Sequence, residues 1–283
     1  METTNNLPEI PRDRADDLHN LQWAEECDLV LFVAGNQFMV MPELIAAFQK
    51  RHPDIRRIFY ETLPPRLELR QILAEGAMFR NQVIKAYPDI YASVDLSNMK
   101  KLEERGHIRR GDYHLYLHNR LTLMVPEGNP AEIRTISDMA GDRVRISQPD
   151  PAGEDIAIHT MNMYRSAGGD ELVHRIMKTK RAEGTTIYTI VHHRETPLRI
   201  AKKTVDVGPV WATEALHAKT TDLAFEIVEP GPGLDQRDHI NYYICRTTHA
   251  PHAANAEHFL QFILSEPAQS IYKAYGFVGI DGR

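Results

Sequence analysis

Leu29-Val30-Leu31-Phe32-Val33-Ala34 is a short, continuous apolar run closed by Gly35-Asn36. A run this short and uniformly apolar is the pattern of a strand buried on both faces, as in a parallel sheet covered by helices. On its C-terminal side, Pro42 precedes Leu44, Ile45, Ala47 and Phe48, whose spacing predicts a helix over 43–51. Residues 55–60 read as a second strand and 61–65 as a loop. A second helix is predicted over 67–75, with Gly76 as its stop, and Asp89-Ile90-Tyr91-Ala92-Ser93 as a third strand. Strand and helix in alternation predict an α/β fold with right-handed crossovers.

A second α/β unit begins further on. Leu121-Thr122-Leu123-Met124-Val125 reads as a strand followed by the turn cluster Pro126-Glu127-Gly128-Asn129-Pro130. Strands are predicted at 144–146, 186–191 and 205–211, with helices over 154–165, ending near Gly168, and over 195–203. The chain closes with a strand over 239–245 and helices over 253–264 and 267–275. Residues 1–24 are polar and read as a tail.

Composition narrows the function. At 283 residues the chain is long enough for two domains. Its net charge is −6 and it has no Lys/Arg-rich run, so a nucleic-acid partner is not expected. No segment approaches the roughly 20 apolar residues that cross a bilayer, so direct membrane insertion is not expected either. The opening METTNNLPEIPRDRADDLHN lacks the apolar core of a secretory signal, which leaves the compartment open between periplasm and cytoplasm. Cys27 and Cys245 border apolar runs; they read as buried small hydrophobes, with a disulfide between them left open. There is no G-x-S-x-G, Walker loop, C-x-x-C or H-E-x-x-H, and no carboxylate pair stands out as acid and base. The expectation is a protein that is not an enzyme and carries no cofactor.

Five segments in order resemble the molybdate-binding protein family, type II periplasmic solute-binding proteins of ABC transporters. They are Phe32-Val33-Ala34-Gly35-Asn36, then Pro88-Asp89-Ile90-Tyr91-Ala92-Ser93-Val94-Asp95, then Pro151-Ala152-Gly153, then Asp206-Val207-Gly208-Pro209-Val210-Trp211, and finally Tyr275-Gly276-Phe277. The resemblance runs from about residue 28 to 278. It implies two Rossmann-like lobes joined by hinge strands, with 25–117 plus 244–283 in lobe one and 118–243 in lobe two. It also implies a small anion held between the lobes, an ABC permease as partner, a periplasmic location and a monomer.

By the same resemblance, Gly35 and Asn36 fall on a ligand loop, with Asn36 where the family often has a ligand serine. Thr62 falls near a second ligand serine. Ala152 matches a position that binds through its backbone N–H, with Gly153 beside it. Trp211 stands where a tyrosine hydroxyl is usual, and its indole N–H can donate but not accept. His193 falls at another backbone N–H position. For Asn36, Thr62, Trp211 and His193 a purely structural role is the competing reading. Asn36 suits a helix cap, Thr62 a turn and Trp211 a core.

Two features have no counterpart in the family pattern. Arg66 can make a bidentate contact to a carboxylate or phosphate, or simply be solvated. Val191-His192-His193-Arg194-Glu195-Thr196-Pro197 places two histidines and an arginine in one loop. If this run is extended, His192 and His193 point to opposite faces and do not chelate one metal together; one of them, with Arg194, then serves an anionic group. The ligand-binding set expected from sequence is therefore Gly35, Asn36, Thr62, Arg66, Ala152, Gly153, His192, His193, Arg194 and Trp211, with no metal ligand assigned. The alternatives are a ligand sensor of the same fold without a transporter, and a receptor for a metal or metal chelate using His192, His193 and an acid such as Glu195.

Overall fold

The computed structural model describes residues 6–231 and 233–280. They form two compact units that the chain enters and leaves at His118–Asn119 and Ile240–Asn241. One unit contains the described residues up to His118 and from Asn241 onward; the other is Asn119–Ile240.

The first unit is built on a seven-stranded sheet. Its order is Leu18–His19, Ile58–Glu61, Leu29–Phe32, Ile90–Ser93, Asn241–Arg246, His114–His118 and Val278–Gly279. The three strands centred on Leu29–Phe32 run parallel, and every pairing outside them is antiparallel. The apolar run at 29–32 is buried along its whole length, as expected for a strand covered on both faces. The helix Met41–Arg51 buries Met41, Leu44 and Phe48, and Phe48 meets Phe259 and Phe262 of the helix Ala253–Ile263. The helix Pro65–Ala74 ends on Glu75 in the left-handed region, one residue before the glycine expected to stop it.

The N-terminal segment is not a free tail. Residues 1–5 of that expectation lie outside the described residues, but the rest packs on the first sheet. Ile10 is fully buried, Leu18 and His19 pair with Glu61 and Tyr60, and Arg14 and Asp17 form a buried ion pair at 3.1 Å. Asp17 also accepts the N–H of Thr62 on its carbonyl at 2.9 Å. The segment's polarity hid this, because it buries Arg14 and Asp17 as well as Ile10 and Leu18. Cys27 and Cys245 are both free thiols.

The second unit holds two small sheets. Gly208–Trp211, Leu121–Pro126 and Phe225–Val228 form an antiparallel set, and Ile146–Pro149 pairs in parallel with Thr186–Thr189. Val207 links the two sheets: its carbonyl accepts from Ser147 N at 2.9 Å. The long helix Ile156–His174 breaks at Gly168 and Gly169, the latter at φ 67°, and then resumes; the glycine stop expected there is a kink. The largest departure is the helix His192–Ala201. It begins at the two histidines instead of at Glu195, and Pro197 inside it obscures the helical signal. Gly208 lets the neighbouring strand pack against this helix. A Cβ there would stand 2.4 Å from Cγ2 of Thr196 and 3.3 Å from the carbonyl of Ser147.

Candidate functional site

In the first unit the chain brings Gly35 and Thr62 together. Gly35 follows the strand Leu29–Phe32 and Thr62 follows the neighbouring parallel strand Ile58–Glu61. A Cβ on Gly35 would lie 3.0 Å from the Thr62 carbonyl oxygen and 3.5 Å from that of Leu63, so the absent side chain permits the approach. Asn36 sits in a single 3-10 turn, Gly35–Gln37, and caps no helix with its side chain. It is buried, and its amide nitrogen donates to the Tyr242 hydroxyl. Thr62 is also buried, and its hydroxyl lies 3.0 Å from Nε2 of His19, whose ring stacks on Tyr60. Arg66 lies half-buried in the first turn of the helix Pro65–Ala74.

Two carboxylates flank these residues. Glu61 is fully buried at the end of its strand, and burial pushes its carboxyl up to about 8, against the amide of Gln71 that donates to it at 2.8 Å. Glu68 is fully buried too, and accepts the backbone N–H of Leu63 at 3.2 Å. Burial thus favours the protonated form of the Glu61 carboxyl.

In the second unit, Ala152 and Gly153 lie exposed on the loop that leads into the helix Ile156–His174. Oδ1 of Asp150 already accepts the Ala152 N–H at 2.9 Å, so an internal carboxylate oxygen occupies the donor expected to meet a ligand. Trp211 ends its strand buried, with its ring 5.6 Å from that of His159. Arg194 lies in the first turn of the helix His192–Ala201.

His192 is the centre of the strongest polar cluster. Its Nδ1 lies 2.6 Å from Oε2 of Glu154 and its Nε2 lies 2.9 Å from Oε2 of Glu214, with all three side chains nearly closed to solvent. Burial opposes a charge on the ring, but Glu214 and Glu154 outweigh it and push the imidazole up to about 10. Burial raises the Glu214 carboxyl, against the pull of His192. The backbone N–H of Trp211, the residue that caps the helix Ala212–Ala218, also donates to the Glu214 carboxylate.

Because the run at 192–194 is the first turn of a helix and not a strand, His192 and His193 are not forced to opposite sides. Each of His192, His193 and Glu214 offers a ligand atom, and these lie within 4.8 Å of one another. Glu195, the acid expected to join the histidines, is committed elsewhere. It accepts the N–H groups of Ile190 and Val191 at 2.6 and 2.7 Å and pairs with Arg199. Sequence reasoning missed Glu154 and Glu214. The available signal was adjacency: Glu154 directly follows Ala152-Gly153, and Glu214 stands three residues beyond Trp211.

The family model for bacterial extracellular solute-binding proteins matches residues 29–278. A Bacillus subtilis protein, YvgL, whose name describes an ABC transporter substrate-binding lipoprotein, is 23% identical over 207 residues, 72% of this chain and 72% of its own length. The periplasmic molybdate-binding protein of Azotobacter vinelandii superposes with a TM-score of 0.69 at 18% identity, covering 88% of this chain and 98% of that one. The sulfate-binding protein SubI of Mycobacterium tuberculosis H37Rv gives 0.69 at 16% identity, covering 89% of this chain and 87% of SubI. The fold is that of the type II periplasmic binding proteins.

Proposed function

Since this chain belongs to the bacterial extracellular solute-binding protein family, we propose that it captures a small anion and delivers it to an ABC permease. The ligand class is a tetrahedral oxyanion of the molybdate or sulfate kind, or a small organic or phosphorylated acid. The observation that carries this reading is the family match over 29–278, joined to a fold shared with molybdate- and sulfate-binding proteins.

The candidate ligand contacts are Gly35, Asn36, Thr62 and Arg66 from the first unit, and Ala152, Gly153, His193, Arg194 and Trp211 from the second. The Ala152 N–H donates to Oδ1 of Asp150 at 2.9 Å, so a ligand oxygen must displace that carboxylate to bind there. Arg194 and Arg66 supply the positive charge that a doubly charged anion needs. His192 acts within its own unit by bridging two carboxylates and is not a direct anion contact in this reading.

A thermal-shift panel of molybdate, tungstate, sulfate, phosphate, citrate and phosphoglycerate tests the proposal. A ligand that binds only the folded state at a hundredfold excess over Kd adds about 2.7 kcal/mol of stability. A shift with one anion that Arg194→Ala or Arg66→Ala abolishes supports the reading. A flat response across the panel counts against an anionic solute.

A further inference from the structure

We infer that Nε2 of His192, a ring nitrogen of His193 and a carboxylate oxygen of Glu214 form a three-ligand site for a divalent metal of the zinc class, with Glu154 orienting His192 from behind. All four residues lie within Asn119–Ile240.

Three observations converge. The ligand atoms of His192, His193 and Glu214 are mutually within 4.8 Å, and two imidazoles with one carboxylate form a donor set suited to zinc. Nε2 of His192 and Oε2 of Glu214 stand 2.9 Å apart, within about 0.5 Å of the roughly 3.3 Å that separates two ligands of a tetrahedral ion with bonds of about 2 Å. Nδ1 of His192 faces Oε2 of Glu154 at 2.6 Å, the carboxylate–histidine arrangement that fixes the tautomer of a metal-bound imidazole.

Charge balance favours the same assignment. Glu154 and Glu214 together bring two negative charges into a nearly solvent-free region. A protonated His192 cancels one of them, whereas a divalent ion held by neutral imidazoles cancels both. Three protein ligands leave a tetrahedral ion one further position, for water or a solute oxygen.

The test is a titration of the tag-free full chain, stripped with chelator and dialysed, with ZnCl2 by calorimetry, together with metal content after gel filtration. The site predicts one Zn2+ per chain. Glu214→Gln and His193→Gln should each weaken binding by at least about 100-fold, and Glu154→Gln by about 10- to 100-fold. His249→Ala, at an exposed histidine, should leave stoichiometry and affinity unchanged. Circular dichroism identifies which variants are folded, and any one folded ligand variant decides the matter. In 15N spectra, metal must move the Nε2 resonance of His192 away from that of a protonated ring. Absence of stoichiometric binding by the wild type, or undiminished binding by a folded ligand variant, overturns the assignment.

Discussion

Oε2 of Glu154 lies 2.6 Å from Nδ1 of His192, with 5% and 6% of the two side chains exposed. Glu154 belongs to the loop before one helix and His192 to the first turn of another, so this contact ties together the starts of two helices of the Asn119–Ile240 unit. Removing the imidazole leaves two buried carboxylates without their shared cation. His192→Gln should therefore destabilise metal-free protein by about 3–5 kcal/mol at pH 7, read from urea unfolding. A loss below about 1 kcal/mol would mean that the imidazole is not charged.

The same histidine sets a pH dependence. In the folded chain its imidazole is raised to about 10, against 6.5 in the unfolded chain. Between those values the folded protein keeps a proton that the unfolded chain has released, so stability falls as pH rises. The contribution is complete below about 6.5 and is lost by about 10. Chelator-treated wild type should lose stability from pH 7 to 9.5 by up to about 1.4 kcal/mol per pH unit relative to His192→Gln, measured by urea midpoints. Parallel profiles for the two proteins would contradict the bridged imidazolium.

Glu61 gives a second, lower window. Its carboxyl is raised from 4.5 to about 8 by burial, so its contribution falls as pH climbs from about 4.5 to 8. Glu61→Gln mimics the protonated group and keeps a partner for Gln71. The variant should gain stability relative to wild type as pH goes from 5 to 8, on the order of 1 kcal/mol or more. An unchanging difference across that range would show that Glu61 does not titrate there.

The α/β class and the buried strand at 29–32 were legible in the sequence because a short run without one polar residue suits a strand covered on both faces. The order of segments around Gly35, Ala152 and Trp211 was legible because glycine and turn residues mark strand ends. The histidine cluster was not. Pro197 broke the helical pattern of 192–201, and an extended reading of His192-His193 separates side chains that a helical turn lets converge. Glu154 and Glu214 were hidden because a buried carboxylate looks like a solvated one until its partners are known. Residues 6–24 read as a tail because Ile10 and Leu18 are too few to show periodicity, although both are buried.

Packing behind the cluster yields a mutational prediction. A Cβ at Gly208 would stand 2.4 Å from Cγ2 of Thr196, one turn along the helix from His192 and His193. Gly208→Ala should cost about 1–3 kcal/mol in urea unfolding. It should also weaken Zn2+ binding, because the strand pushes on the helix that carries two of the ligands. Full stability in this variant would mean that the strand and helix separate easily.

Capture of a small anion is tested by calorimetric titration of the purified protein with molybdate, sulfate, phosphate and small organic acids. Saturable one-to-one binding of one of these anions is expected, weakened at least about 10-fold by Arg194→Ala. No heat of binding with any anion, in protein shown to be folded, would contradict it.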